Sequence, residues 1–108
     1  MDIAFVYAVL YIQMRFTWNE AKSRANRKKH GIGFDTAIQA FLDPLHLTRL
    51  ERIVDGEERW QTIGMVGGVL LMLVAYAVLD ENEEFIRIIS ARRVTRQERI
   101  EYEEANQI

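Results

Sequence analysis

Cysteine is absent from the 108 residues. That excludes disulfides, thiolate metal sites and cysteine nucleophiles, and it suits a reducing compartment, the cytoplasm. Histidine is scarce. His30 and His46 are the only two, and no ligand cluster pairs them, so no metal site and no cofactor is expected. A nucleotide loop is also missing. Gly64-x-x-Gly67-Gly68 lacks the lysine that a phosphate-cradling loop needs, and a turn accounts for it better. The uncharged N-terminal run from Ile3 to Ile12 is ten residues long, short of the roughly 20 that span a bilayer. Its only early charge is Asp2, so neither the basic start nor the small-residue cleavage site of a signal peptide is evident. Repeats and linkers are absent, and the length fits one domain with one modest core.

Charge is present in blocks. The formal net charge of −2 conceals Lys22, Arg24, Arg27, Lys28 and Lys29 with no intervening acid. Arg87, Arg92, Arg93, Arg96 and Arg99 form a second basic group, opposed only by Glu98. Asp80, Glu81, Glu83 and Glu84 are acidic, as are Glu101, Glu103 and Glu104. Each block alone reads as a solvated surface. Two basic blocks on one small fold point to an anionic ligand.

Periodicity sets the elements. Arg15 to Thr17 can be a short strand. Thr17 and Glu20 have the spacing of a capping box, which predicts a helix from there to about His30, stopped by Gly31. Its apolar stripe is thin, namely Trp18, Ala21 and Ala25, and the rest of its surface is cationic. Ala37, Ile38, Phe41 and Leu42 recur at helical spacing and predict a second short helix from Phe34, ended by Asp43-Pro44. A strand follows from Leu45 to Leu50. The next runs from Arg59 to Val66, with Trp60, Thr62 and Gly64 on one face and Arg59, Gln61, Ile63 and Met65 on the other. Gly67-Gly68 is a hairpin turn. Val69 to Leu79 has no charge and should be a central strand buried on both faces. After the turn at 80–83, alternation from Phe85 puts Ile86, Ile88, Ser90 and Arg92 on one face, with Arg87, Ile89, Ala91 and Arg93 on the other. Thr95 and Glu98 form a capping box that starts a last helix, from Arg96 to about Glu104. The expected fold is α+β: an antiparallel sheet of about four strands, two N-terminal helices and one C-terminal helix, with one sheet face covered and the other partly open.

The candidates for chemistry are Lys29, His30, Arg59, Tyr76, Ser90, Arg92 and Arg93. RNA can be cut without a metal. A base takes the 2′-OH proton, an acid protonates the leaving 5′-oxygen, and cations stabilise the charge that builds on phosphorus. Arginine suits the last task because its fork matches phosphate oxygens. Each residue also has a plain structural reading: Arg59 paired with Glu57, Ser90 capping a turn, Tyr76 in the core.

The order and spacing of several short motifs resemble the BrnT family of ribonuclease toxins. They are Phe16-Thr17-Trp18-Asn19-Glu20-x-Lys22, Asn26-x-x-Lys29-His30-Gly31-Ile32-x-Phe34, Phe41-x-Asp43-Pro44, Gly56-Glu57-Glu58-Arg59-Trp60, Ile63-Gly64, and Ile86-Arg87-Ile88-Ile89-Ser90-Ala91-Arg92 with the segment from Glu98 to Tyr102. The resemblance covers almost all of 14–102 and leaves 1–13 as an apolar extension, with Met14 reading as a natural start of the domain. It implies a RelE-like fold and a toxin that inhibits translation by cutting RNA. It also implies neutralisation by a BrnA-like ribbon-helix-helix antitoxin, with operator DNA bound only through the complex, which represses its own promoter. Three positions depart from the family pattern: Tyr76 stands for a histidine, Leu79 for an arginine and Asn19 for an aspartate. Tyrosine is a poor base at neutral pH.

The resulting expectation is a metal-independent endoribonuclease. Arg59 and Arg92 hold the phosphate, His30 or Lys29 handles a proton, Tyr76 stands at the histidine position, and Ser90 positions substrate. Lys22, Arg24, Arg27, Lys28, Arg93 and Arg96 draw RNA in. The rival expectation is a catalytically degenerate copy that acts only by binding the antitoxin.

Overall fold

The structure is a computed structural model and describes residues 14–82 and 85–107. The extension at 1–13 and part of the turn after Asp80 lie outside the described residues. The elements run β1 (Arg15–Thr17), α1 (Glu20–His30), α2 (Phe34–Ala37), a 3-10 turn (Ile38–Leu42), β2 (Leu47–Val54), β3 (Glu57–Val66), β4 (Leu70–Val78), β5 (Phe85–Arg93) and α3 (Arg96–Asn106). The architecture is α+β, as expected.

The sheet differs from the expected four antiparallel strands. It has five, ordered β1-β5-β4-β3-β2. The strands β2 to β5 are antiparallel hairpin neighbours, whereas β1 joins the far side of β5 in parallel, with Phe16 opposite Ile86. Only a long crossover allows a parallel pair, and here nearly the whole chain lies between the two partners. β2 begins two residues later than read, at Leu47. β4 is central, and Leu71 to Val74 are all buried.

Two apolar cores lie on opposite faces. On one, Phe34, Ala37 and Ala40 pack on Met72, Val74, Tyr76, Ile86, Ile88 and Ala91. On the other, Tyr102 of α3 packs on Ile63, Leu71 and Leu73. Helices therefore cover one face and part of the second, where a single covered face was expected. The 3-10 turn lies so close to β3 that a Cβ at Gly64 would collide with the Ala40 backbone. Gly64 is thus a point of close approach within a strand and not part of the following turn.

Two corrections concern α1. Its N-cap is Asn19, whose Oδ1 accepts the Lys22 N–H at 3.0 Å, and not Thr17. Glu20 is already the first helical residue, and its carboxylate accepts the Trp18 indole N–H. The buried face of the helix is polar. Ala21 and Ala25 are exposed, and Ser23 and Asn26 are buried. Ser23 Oγ accepts the Phe34 N–H at 2.9 Å. Asn26 bonds the Ala91 backbone in both directions, which lays α1 along the outer edge of β5. Gly31, at φ 82°, stops the helix as expected. The second helix is one α-turn that tightens into the 3-10 turn.

Candidate functional site

The second sheet face is closed at one end by α3 and open at the other. The opening is a cleft of about 300 Å³ lined by residues of β2, β3, β4 and β5, among them Arg52, Arg59, Gln61, Ala75, Ser90 and Arg92. Register explains how they meet. Arg59 sits opposite Ala77, and Ala77 opposite Arg87. Gln61 sits opposite Ala75, and Ala75 opposite Ser90. Ala75 on β4 therefore makes a low floor between a β3 wall and a β5 wall, about 10 Å apart at two strand spacings, while Ala77 is fully buried.

Two bulges shape the walls. β5 carries an extra residue between Ile88, opposite Tyr76, and Ser90, opposite Ala75. The alternation read from sequence breaks there. Ala91 and Arg93 fall on the face of Ile86 and Ile88, while Ile89, Ser90 and Arg92 turn to the cleft. β2 has a bulge between Leu50 and Arg52, and both Glu51 and Arg52 line the cleft. Bulges are frequent beside functional sites because they re-aim side chains.

Arg92 is held firmly. Its Nη1 and Nη2 donate to the two oxygens of Glu98 at 2.8 and 2.9 Å, and Nη1 also donates to the Arg93 carbonyl at 3.1 Å. The hydrogen-bonded guanidinium, with the Thr95 N–H, pulls the Glu98 carboxyl down to about 2 although burial opposes the shift. The same carboxylate completes the Thr95 capping box and lies 3.8 Å from Arg49. Arg49 in turn reaches Glu101 at 2.6 Å and Gln61 at 3.1 Å. Arg92 therefore anchors α3 to β5, and much of its charge is already answered.

On the open side, Glu57 Oε1 accepts Arg59 Nε at 3.0 Å and Arg87 Nη2 at 2.7 Å. One carboxylate orients two guanidiniums, one from each wall. The pairing of Arg59 with Glu57 read from sequence is present, yet Arg59 still lines the cleft. Arg52, Arg87, Glu51 and Glu57 were not singled out as site residues. The two-residue turn at Asp55-Gly56 and the alternation of β3 were the available signals, but neither could place the bulge that brings Arg52 round.

The other expected residues stand elsewhere. The Tyr76 side chain points to the opposite face. It is 5% exposed, its ring stands edge-on to Phe41 at 5.0 Å, and its hydroxyl accepts from Thr62 at 3.3 Å. Tyr76 is nonetheless among the residues that border the cleft. Lys29 and His30 are at the end of α1, and neither lines the cleft. Lys22, Arg24, Arg27 and Lys28 are exposed along α1, with Arg27 3.9 Å from Asp35. Arg93 and Arg96 are exposed at the junction of β5 and α3. The basic helix and the cleft are thus separate surfaces. Among the described residues, no group of three or more His, Cys, Asp or Glu converges as metal ligands, and no helix is long and apolar enough to cross a membrane.

Away from the cleft, Asp43 ties the end of the 3-10 turn to the loop that follows it, to β3 and to α3. Its carboxylate accepts the Leu45 and Met65 N–H groups, each at 2.8 Å, and the Tyr102 hydroxyl at 2.7 Å. Partial burial would raise its pKa, but these bonds and the nearby His46 hold it below the ordinary carboxylate value.

Comparison with curated protein sequences finds no match. Among solved structures, the chain is similar to the Brucella abortus ribonuclease toxin, BrnT, determined at 1.1 Å resolution. The TM-score is 0.57 at 24% identity, over 77% of this chain and 99% of that one. This likeness is one of fold. The family model for the ribonuclease toxin, BrnT, of type II toxin–antitoxin systems matches residues 18–98. That span takes in all the cleft residues, and the chain belongs to the BrnT family of ribonuclease toxins.

Proposed function

We propose that the chain is a metal-independent endoribonuclease toxin whose site is the open cleft on the second sheet face. The observation that carries this reading is the convergence of Arg59, Ser90 and Arg92 on one cleft, with Arg87 oriented by the same carboxylate as Arg59. In RNA cleavage of this kind, the 2′-oxygen gives up its proton and forms a bond to the neighbouring phosphorus as the bond to the 5′-oxygen breaks, and the leaving 5′-oxygen takes a proton from solvent. Arg59 and Arg87 stabilise the charge that builds on the phosphate oxygens. Ser90, turned inward by the bulge, offers a hydroxyl to position the sugar or phosphate. Arg92 keeps the wall rigid and leaves part of its fork to the ligand. Glu51 is a carboxylate that lines the cleft and is available to accept the 2′-OH proton. His30 and Lys29, on α1, serve RNA capture with the rest of the basic helix. A BrnA-like ribbon-helix-helix antitoxin neutralises the chain by covering the cleft or the basic helix, and operator DNA is bound through that complex.

A second reading is favoured by one observation. Among the described residues, no imidazole or ammonium group lines the cleft, and Tyr76 turns away from it. A copy that retains antitoxin binding without cutting RNA would look the same.

The deciding experiment is incubation of the purified chain with RNA in EDTA, beside Arg59→Ala. Cutting by the wild type that is lost in the variant, with folding unchanged, supports the enzyme. Cutting that persists in Arg59→Ala removes that residue from the mechanism. Absence of cutting by the wild type, together with harmless expression and tight antitoxin binding, supports the binding module.

A further inference from the structure

We propose that Arg52 and Arg59 together form a phosphate-binding subsite that carries a single RNA strand across the open face towards the edge strand β2. This rests on the ribonuclease reading and extends it to the form of the substrate and a further binding residue.

The argument begins with register. Arg52 and Arg59 are directly opposite one another on β2 and β3, so both side chains leave the sheet on the same face. Without the bulge between Leu50 and Arg52, alternation would send Arg52 to the helix-covered side. With it, Arg52 enters the cleft. Like charges directly opposed across a strand pair are destabilising. The fold does little to relieve this pair. Glu57 bonds Arg59 but is shared with Arg87, and no described ion pair reaches Arg52. Glu51 lines the same cleft, yet no ion pair joins it to Arg52. The result is two cross-strand guanidiniums, Arg59 sharing Glu57 and Arg52 exposed with no described carboxylate paired to it, whose mutual repulsion an anion between them would offset.

A phosphodiester is such an anion. Its two free oxygens match the arginine fork, and it can lie between two such groups. The form of the RNA follows from the trough. The cleft's charged lining runs across the strands, from Arg52 on β2 past Arg59 on β3 to Ser90 and Arg92 on β5, with Ala75 as its low floor, and α3 closes one end at Leu73 and Arg92. A charged groove of this kind tracks one backbone. Arg52 is then a binding residue at a distance from the scissile phosphate, which lies between Arg59 and Ser90.

The test uses the full chain and a short 2′-O-methyl single-stranded RNA, which cannot be cut because its 2′-oxygens are blocked. Binding is followed by fluorescence anisotropy over a salt titration, for wild type, Arg52→Gln and, as an exposed control outside the cleft and both basic blocks, Arg15→Gln. Each phosphate contact on a single strand contributes about 0.7 to the slope of log affinity against log salt. Arg52→Gln is expected to weaken binding and to reduce the slope by about 0.7, with Arg15→Gln unchanged. The unfolding midpoint of Arg52→Gln should hold or rise, because a like-charge contact is removed. A wild-type slope in Arg52→Gln overturns the subsite and leaves the ribonuclease reading standing. Equal affinity for the matching duplex overturns the single-strand assignment. A wild type that binds no RNA overturns both readings.

Discussion

Asn26 pairs with the backbone of Ala91 as a neighbouring strand would. Its Nδ2 donates to the Ala91 carbonyl at 2.9 Å, and its Oδ1 accepts the Ala91 N–H at 3.2 Å. β1 covers β5 only as far as Arg87. Beyond that point the edge of β5 would be bare, and buried backbone groups need partners. One amide side chain on α1 supplies both. It also donates to the Ile32 carbonyl at 2.8 Å, fixing the turn that leads out of the helix. The consequence for the site is direct, since Ala91 lies between Ser90 and Arg92.

Asn26→Ala should therefore destabilise the protein by about 2–4 kcal/mol, because it strands three buried backbone groups. Asn26→Asp keeps one acceptor but sets a carboxylate against two carbonyl oxygens, so it should be no better at neutral pH. Urea unfolding of the three proteins measures this. A loss below about 0.5 kcal/mol for the alanine variant would show that α1 is not held by this residue.

Arg59 and Arg92 should part company when each is removed. Arg59 is paired once, at a partly exposed position, and Arg59→Ala should cost under about 1 kcal/mol of stability. Its effect should be on cleavage, a loss on the order of a hundredfold, as for removal of one charge-stabilising donor. Arg92→Ala leaves Glu98, whose side chain is 12% exposed, with the Thr95 N–H and, as its cationic partner, the longer contact to Arg49. It should cost about 1–3 kcal/mol, less than a fully buried pair because Arg92 itself is 38% exposed. Thermal unfolding and RNA cleavage measured on the same preparations separate the two. Equal stability loss from both would refute this division of labour.

Gly64→Ala tests the seating of the 3-10 turn. The added methyl would meet the Ala40 carbonyl, which is backbone and cannot swing aside. Either the turn lifts from β3 or the strand bends, at about 1–3 kcal/mol. The cleft lies on the other face, so any activity should survive in the fraction that remains folded. A fully stable Gly64→Ala protein would mean that the turn yields easily.

What the sequence made legible were the features that depend on neighbours in the chain. The capping box of Thr95 and Glu98, the Gly31 stop, the charge-free central strand and the C-terminal helix are all local, and all are present. What depends on a distant partner was not legible. Ala21 and Ala25 made an apolar stripe on paper, but the buried face of α1 is polar because it meets a strand edge and not a greasy sheet surface. The parallel place of β1 could not be read from three residues. The two bulges had no sequence mark. A single extra residue in β5 reversed the faces assigned to Ser90, Ala91 and Arg92, and another in β2 brought Arg52 into the cleft. Arg59, Ser90 and Arg92 were singled out from residue type and family pattern, and all three line one cleft, but the place of Glu57 and Arg87 beside it required the register.

Acid should act on this fold through Glu98. Its carboxyl is held at about 2, well below the ordinary 4.5, first by its hydrogen bonds with Arg92 and then by the Thr95 N–H. A carboxyl whose folded pKa is depressed binds fewer protons in the folded state than in the unfolded one. Its contribution is complete above the unfolded value and is lost as pH falls from about 4.5 towards 2. Tyr102 acts at the alkaline end. Burial first, and then the Asp43 carboxylate that accepts its hydroxyl, push it up to about 12 from 10.0. Its contribution is present below the unfolded value and should be lost as pH rises from 10.0 towards 12. Both groups hold α3 in place, so both limbs should report the release of that helix from the sheet. Urea unfolding from pH 2 to 7 for wild type and Glu98→Gln, and from pH 9 to 12 for wild type and Tyr102→Phe, supplies the check, with roughly these limits set by the two pKa windows. The stability gap between wild type and Glu98→Gln should close as the pH falls through the acid window, and the gap to Tyr102→Phe should close as it rises through the alkaline one. An acid gap that stays constant would show that the Arg92–Glu98 pair does not couple proton binding to the docking of α3.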